Sequence, residues 1–174
     1  MEDVTKPTTL ANLYLEVLRT IGAGTMSTVS QVVSKVPEKN GTCMHYAYKP
    51  GPDHSDPKWD DDLDGYIAAE HSMMSEIRFL SMLHHPNIIK LVHVIAPHGL
   101  LMEYMDYTLD YYIKTLSQQM TGDAWPNLID QFTLDLFSGL MYMHTLKDYK
   151  GMDISIVHLD IKPANLLISK DEVL

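Results

Sequence analysis

The residues best suited to chemistry lie near the end of the 174-residue sequence, in the run Asp160-Ile161-Lys162-Pro163-Ala164-Asn165 that follows His158. A carboxylate such as Asp160 can orient a hydroxyl and accept its proton. Lys162 can neutralise charge on a phosphoryl group in transfer. The amide oxygen of Asn165 can ligate Mg2+, a hard cation that prefers oxygen.

Three earlier pieces fit the same chemistry. The run Ile21-Gly22-Ala23-Gly24-Thr25-Met26-Ser27-Thr28-Val29 holds glycines whose missing Cβ lets backbone N–H groups approach phosphate oxygens. Taken alone, Gly22-Ala23-Gly24 is an ordinary hairpin turn. Lys49 ends the stretch Tyr46-Ala47-Tyr48-Lys49 and would meet phosphates as a point charge. Alone it is a common strand lysine. Glu76, on a helical stretch further on, can pair with Lys49 and hold its ammonium; Glu70 and Arg78 are nearby alternatives. Alone, a helix glutamate belongs to a solvated face.

These residues need elements to position them. Leu15–Ile21 and Thr28–Ser34 read as strands around the Gly-rich turn, and Cys43–Lys49 as a third, with Cys43 a small buried residue. The connections are too short for helical crossovers, so the strands form an antiparallel meander. Residues 50–65 are acidic and Pro-containing and read as a loop or insertion. Met73, Ile77, Leu80 and Leu83 recur at helical spacing and place a helix over Tyr66–Leu83, ending before His84-His85-Pro86. Leu91–Ala96 and Leu100–Tyr104 complete five strands. Beyond Tyr104 the pattern is helical: a short helix marked by Leu109, Ile113 and Leu116, then a longer one from about Asn127 to His144. Ile129, Phe132, Leu136, Leu140 and Met143 share a face of the longer helix. A polar loop over 146–155 leads to a short strand at Ile156, the polar string described above and a last strand through Leu167 and Ile168.

Taken together and in this order, the four pieces resemble the protein kinases from about Leu18 to the C-terminus. The resemblance implies an α+β fold with two lobes. The N-lobe would be a five-stranded antiparallel sheet plus one helix, and the C-lobe helical and incomplete. Residues 1–13 would be a loose lead-in, 14–104 the N-lobe with its acidic insertion at about 50–65, and 105–174 a partial C-lobe ending just after the catalytic loop. It further implies ATP and Mg2+ as ligands and a protein Ser or Thr hydroxyl as acceptor. Ile21, Gly22, Gly24 and Val29 would cover the nucleotide. Lys49 would contact its phosphates and pair with Glu76. Asp160 would be the catalytic base, Lys162 would act at the γ-phosphate, and Asn165 would bind Mg2+. Met102-Glu103-Tyr104-Met105 resembles the hinge between lobes, with Met102 as gatekeeper. Ala47, Val29 and Leu167 would sandwich the adenine. Lys162 two residues after the aspartate is similar to the serine/threonine class, and Ile156–Ser169 is similar to the Mos kinases.

Some positions depart from that pattern. Ser27 stands where a third glycine is usual, and Tyr48 where an aliphatic residue is usual. Leu159 replaces the arginine that ordinarily pairs with a phosphorylated activation loop. No Asp-Phe-Gly follows Asn165, so the chain reads as a fragment, or as a module that holds nucleotide or docks a partner without turnover. The run Asp60-Asp61-Asp62-Leu63-Asp64-Gly65 has calcium-loop spacing at its start, but His71 stands where a bidentate glutamate is required. His84, His85 and His93 lack zinc-ligand spacing. The twelve methionines sit mostly at core spacings. The net charge of −10 argues against nucleic acid and anionic membranes as partners. One cysteine excludes an internal disulfide, and no apolar run reaches a membrane span; a cytoplasmic protein is expected. Oligomeric state is left open.

Overall fold

The computed structural model describes residues 8–23, 28–116, 124–148 and 150–170. Gly24, Thr25, Met26 and Ser27 lie outside the described residues. The described residues fall into two compact units. One comprises those up to Met82 together with Lys90–Tyr104, and the other Leu83–Ile89 and those from Met105 onward.

The first unit holds five strands: β1 (Leu15–Ala23), β2 (Thr28–Ser34), β3 (His45–Lys49), β4 (Leu91–Ile95) and β5 (Gly99–Glu103). They form one antiparallel sheet in the order β1-β2-β3-β5-β4. Side chains alternate across a strand, and this sets the two faces. Leu15, Val32, Ile95 and Leu101 are buried together, with Tyr46, Tyr48 and Val92 packed against them. Leu10 and Leu13 join that cluster, and the Ala96 N–H donates to the Thr8 carbonyl at 2.7 Å. Residues 8–13 are therefore part of the packing, not the loose lead-in expected, because their two leucines cover one face of the sheet. Cys43 also differs from expectation. It is exposed and precedes β3, since ladder pairing begins only at His45.

Helix α1 (Leu63–Met82) starts three residues before the predicted Tyr66. The cause is Asp62, whose Oδ1 accepts the Gly65 N–H at 2.9 Å while its carbonyl accepts the Tyr66 N–H at 3.0 Å. An aspartate capping a helix in this way satisfies donors that have no intrahelical partner. Asp56 likewise caps a single 3-10 turn, Pro57–Trp59. Part of the acidic run is thus capping chemistry. No group of three or more His, Cys, Asp or Glu side chains able to hold a metal occurs among the described residues.

The second unit contains β6 (Tyr107–Thr108), a one-turn helix α2 (Leu109–Tyr111) that widens into a π turn at Tyr112–Leu116, helix α3 (Ala124–His144) and β7 (Leu167–Ile168). Thr108 caps α2 through its hydroxyl. Pro126 falls in the first turn of α3, where a missing N–H costs nothing. Met143 is buried and Phe132 is half-buried, its ring edge-on to Tyr112 with centroids 5.9 Å apart. Leu134, Phe137 and Met141 remain on the exposed side. The short strand expected at Ile156 does not form. Ile156 instead donates its N–H to the carbonyl of Met143 at 2.9 Å, so its backbone is tied to the end of α3 and not to a ladder. The last strand expected through Leu167 and Ile168 forms as β7, and it pairs with β6, a two-residue strand that the sequence did not suggest.

Candidate active site

In the first unit, β3 supplies the cation. Tyr46 and Tyr48 face the apolar cluster, so Ala47 and Lys49 project from the other face. Lys49 pairs in register with Leu100, and Ala47 with Met102 on β5 and Gln31 on β2. Helix α1 buries Ala69 and Met73, and Glu76 lies one turn beyond Met73 on the same side. Lys49 Nζ donates to Glu76 Oε2 at 2.6 Å, with both side chains partly buried. Of the alternatives that the sequence left open, Glu70 sits 3.5 Å from His98 instead, and Arg78 is exposed.

Ile21 and Gly22 lie in the last three residues of β1, with Gly22 opposite Val29. A Cβ added to Gly22 would lie 3.7 Å from the Val29 Cβ, an ordinary contact, so strand pairing alone does not require glycine there. Gly24 is among the residues not described. Met102 is half-buried between Ala47 and Leu91 in the ladders. Glu103 Oε1 accepts the Lys90 N–H at 2.7 Å, which fixes the end of β5.

In the second unit, the polar string is held at both ends. Upstream, Ile156 is bound to the last turn of α3. Downstream, the Leu166 carbonyl accepts the Leu109 N–H at 2.8 Å, β7 pairs with β6, and Asp106 Oδ2 accepts the Lys170 N–H at 2.8 Å. Between them Leu159 adopts φ 66° and is 89% exposed. This is a left-handed conformation that a branched side chain rarely takes. It turns the chain so that His158 Nδ1 accepts the Asp160 N–H at 3.3 Å. Pro163–Asn165 then form a 3-10 turn that brings Asn165 back over Asp160.

The resulting geometry centres on one carboxylate. Asn165 Nδ2 donates to Asp160 Oδ2 at 2.8 Å and to the Asp160 carbonyl at 2.9 Å. Lys162 Nζ lies 2.9 Å from the same Oδ2. The hydrogen bonds from Lys162 and then Asn165 hold the Asp160 carboxyl below the usual carboxylate range, so it is ionised near neutrality. Oδ1 is left to accept from another donor. Both hydrogens of the Asn165 amide nitrogen are used, which leaves its oxygen as the group available to a cation.

Asp160, Lys162 and Asn165 are thus brought together, as are Lys49 and Glu76 in the other unit. Ile21, Gly22, Val29, Ala47, Met102 and Glu103 lie in the first unit, and Met105 and Leu167 in the second. Sequence reading missed a polar chain on the Lys49 face of the sheet. Arg19 Nε donates to Gln31 Oε1 at 2.8 Å, and Gln31 Nε2 lies 3.2 Å from His45 Nδ1. The available signal was Gln31 itself, a polar residue in phase with Val29 and Val33 on β2.

Comparison with known proteins agrees with this arrangement. The family model described as "Protein kinase domain" matches residues 15–174. The chain is 31% identical over 107 residues to the serine/threonine-protein kinase SSN3 of Chaetomium globosum, covering 60% of this chain and 19% of that protein. It is 34% identical over 101 residues to the cell division control protein 2 homolog 3 of Trypanosoma brucei brucei, covering 56% and 29%. It is 25% identical over 185 residues to a probable serine/threonine-protein kinase HAL5-like of Eremothecium gossypii, covering 95% and 26%. The chain therefore spans less than a third of the length of these relatives. With the match running from β1 through β7 and the Lys49–Glu76 and Asp160–Asn165 pairs in place, this chain belongs to the protein kinase family.

Proposed function

We propose that this chain carries the nucleotide-binding and catalytic-loop parts of an ATP-dependent protein serine/threonine kinase, with ATP and Mg2+ as its ligands. The observation that supports this most is the Asp160 clamp, in which Lys162 and Asn165 share Oδ2 and leave Oδ1 to a hydroxyl. The acceptor oxygen attacks the γ-phosphorus, the bond to the β-bridging oxygen breaks, ADP leaves, and the hydroxyl proton passes to Asp160. A carboxylate held in its ionised form is a weak base, so Asp160 acts chiefly by orienting the hydroxyl and takes the proton late. Lys162 lies beside the γ-phosphoryl and offsets its charge. In the first unit, Lys49, fixed by Glu76, takes the α- and β-phosphates; Ile21, Gly22, Gly24 and Val29 cover the nucleotide. Also in the first unit, Ala47 flanks the base, with Met102 and Glu103 at its edge.

Bound Mg2+ neutralises phosphate charge. Asn165 Oδ1 is the oxygen this loop would offer to Mg2+, a hard cation that prefers oxygen. The domain reading follows the same lines: an N-lobe over 14–104 and part of a C-lobe from 105. The Ser/Thr acceptor rests on Lys162 and on the names of the Chaetomium and Eremothecium relatives, a serine/threonine-protein kinase and a probable one. They give no support to the finer likeness to the Mos kinases, and the proposal stops at the serine/threonine class. A cytoplasmic location is part of the same proposal; no helix among the described residues is long and apolar enough to cross a membrane.

The test is transfer of labelled phosphate from ATP to a Ser/Thr peptide library by the protein that contains this chain, beside Asp160→Asn. The substitution should lower the rate by about 100-fold or more. Undiminished transfer by Asp160→Asn, or label found on tyrosine, contradicts the proposal. ATP binding without transfer points instead to the module that holds nucleotide without turnover.

A further inference from the structure

Gln31 is a buried polar residue of the sheet, 8% exposed, on the face that also carries Arg19, His45 and Lys49; polar side chains are seldom this buried. Its neighbours fix which way its amide points. Arg19 Nε can only donate, so the atom 2.8 Å from it is the Gln31 oxygen. The amide nitrogen therefore faces His45 Nδ1 at 3.2 Å, and that ring nitrogen is the acceptor. Arg19 also reaches the Tyr104 hydroxyl at 3.4 Å, and the Tyr104 and His45 rings lie with centroids 6.1 Å apart. The amide is thus held from two strands, and one of its two N–H groups has no hydrogen bond among the described residues.

The register places this amide beside the ligand face. Gln31 is directly opposite Ala47 on β3, and Ala47 is opposite Met102 on β5. Opposed residues in an antiparallel pair share a face and stand about 5 Å apart. Val29, two residues before Gln31, and Lys49, two after Ala47, lie on that face as well. Lys49 marks the phosphate end of the row, and Ala47 with Gln31 the other end.

We propose, on the reading that this face holds a nucleotide, that Gln31 is a specificity-determining residue that donates its remaining amide hydrogen to an acceptor on the nucleoside half of the ligand. Arg19 and His45 are positioning residues that act through it. A buried amide that is held but incompletely used favours a ligand with an acceptor at that point, because an apolar group there would leave the donor unpaired. The contact is remote from the phosphates, so it affects nucleoside and nucleotide alike.

The test measures equilibrium binding of ATP and of adenosine to the chain and to Gln31→Leu, Gln31→Glu and Lys49→Ala. Gln31→Leu should weaken ATP and adenosine by the same factor, about three- to tenfold. Gln31→Glu keeps an oxygen for Arg19 but loses the donor, and should behave likewise even if the leucine variant fails to fold. Lys49→Ala should weaken ATP and leave adenosine unchanged. Unchanged adenosine affinity in a folded Gln31 variant, or a wild type that binds ATP but no adenosine, overturns the inference while leaving the nucleotide site intact. A wild type that binds no ATP overturns the nucleotide reading, and this inference with it.

Discussion

Asn165 holds Asp160 at two points, donating its amide nitrogen to the carboxylate oxygen Oδ2 at 2.8 Å and to the backbone carbonyl at 2.9 Å. Two bonds from one side chain fix both the rotamer of the aspartate and the path of the loop that carries it. They also assign the remaining atoms: Asp160 Oδ1 to an incoming donor and Asn165 Oδ1 to a cation.

The pH response of Asp160 follows from this clamp. Its carboxyl is held low by Lys162 first and Asn165 second. A depressed folded-state value means that the stabilisation is fully present above the unfolded carboxylate value, about pH 4, and is lost as pH falls through the folded one. Lys162→Met should move the Asp160 midpoint up toward the ordinary carboxylate range, and Asn165→Ala should do so by less. Carbon-13 titration of the Asp160 carboxyl checks both; a midpoint that neither substitution moves would refute the clamp.

The Lys49–Glu76 pair should matter for ligand binding far more than for folding. Its side chains are 25% and 36% exposed, so solvent screens much of the attraction. A double-mutant cycle on Lys49→Met and Glu76→Gln, read by urea unfolding, should give a coupling below about 1 kcal/mol. ATP affinity should fall about tenfold or more with Lys49→Met. A coupling of several kcal/mol would assign the pair a structural role instead.

Two glycines should respond in opposite ways. A Cβ on Gly51 would meet the backbone carbon and oxygen of His98 at 3.0 Å, and backbone cannot swing aside. Gly51→Ala should destabilise by about 1–3 kcal/mol. Gly22 has only the ordinary 3.7 Å contact, so Gly22→Ala should leave stability within about 1 kcal/mol while weakening ATP binding. Thermal unfolding beside ATP titration separates the two outcomes. A Gly22→Ala protein that is much less stable would show that the strand pair, not a ligand, requires the glycine.

Leu159 should be replaceable by glycine at no cost to folding. It takes a left-handed φ of 66° and is 89% exposed, so its side chain contributes strain and little packing. Leu159→Gly relieves a conformation worth about 1 kcal/mol, offset in part by the greater freedom of glycine in the unfolded chain. Unfolding experiments should find it neutral or slightly stabilising, and a loss above about 1 kcal/mol would mean that the exposed leucine has a partner.

Strong periodic signals were legible in the sequence. The run from Cys43 to Lys49 gave β3, whose pairing begins at His45, and the spacing of Met73 and Ile77 gave α1. Lys49 with Glu76, and Asp160 with Lys162 and Asn165, were singled out in the sequence, and each set lies within hydrogen-bond reach in the fold. What was not legible depended on local capping or on long-range pairing. Asp62 started α1 early by capping it. Ile156 bound Met143 and formed no strand, while Tyr107 and Thr108 found β7 some sixty residues later. Leu10 and Leu13 looked dispensable because nothing local tells which leucines cover a sheet. Gln31 was passed over because a lone polar residue on a strand is usually solvated.

Isothermal titration of ATP into the chain, with and without Mg2+ and beside Lys49→Ala, tests the central claim most directly. Micromolar binding that Lys49→Ala weakens by about tenfold or more is the predicted result. A well-folded chain that takes up no ATP, or binds it equally well without Lys49, would contradict the nucleotide site.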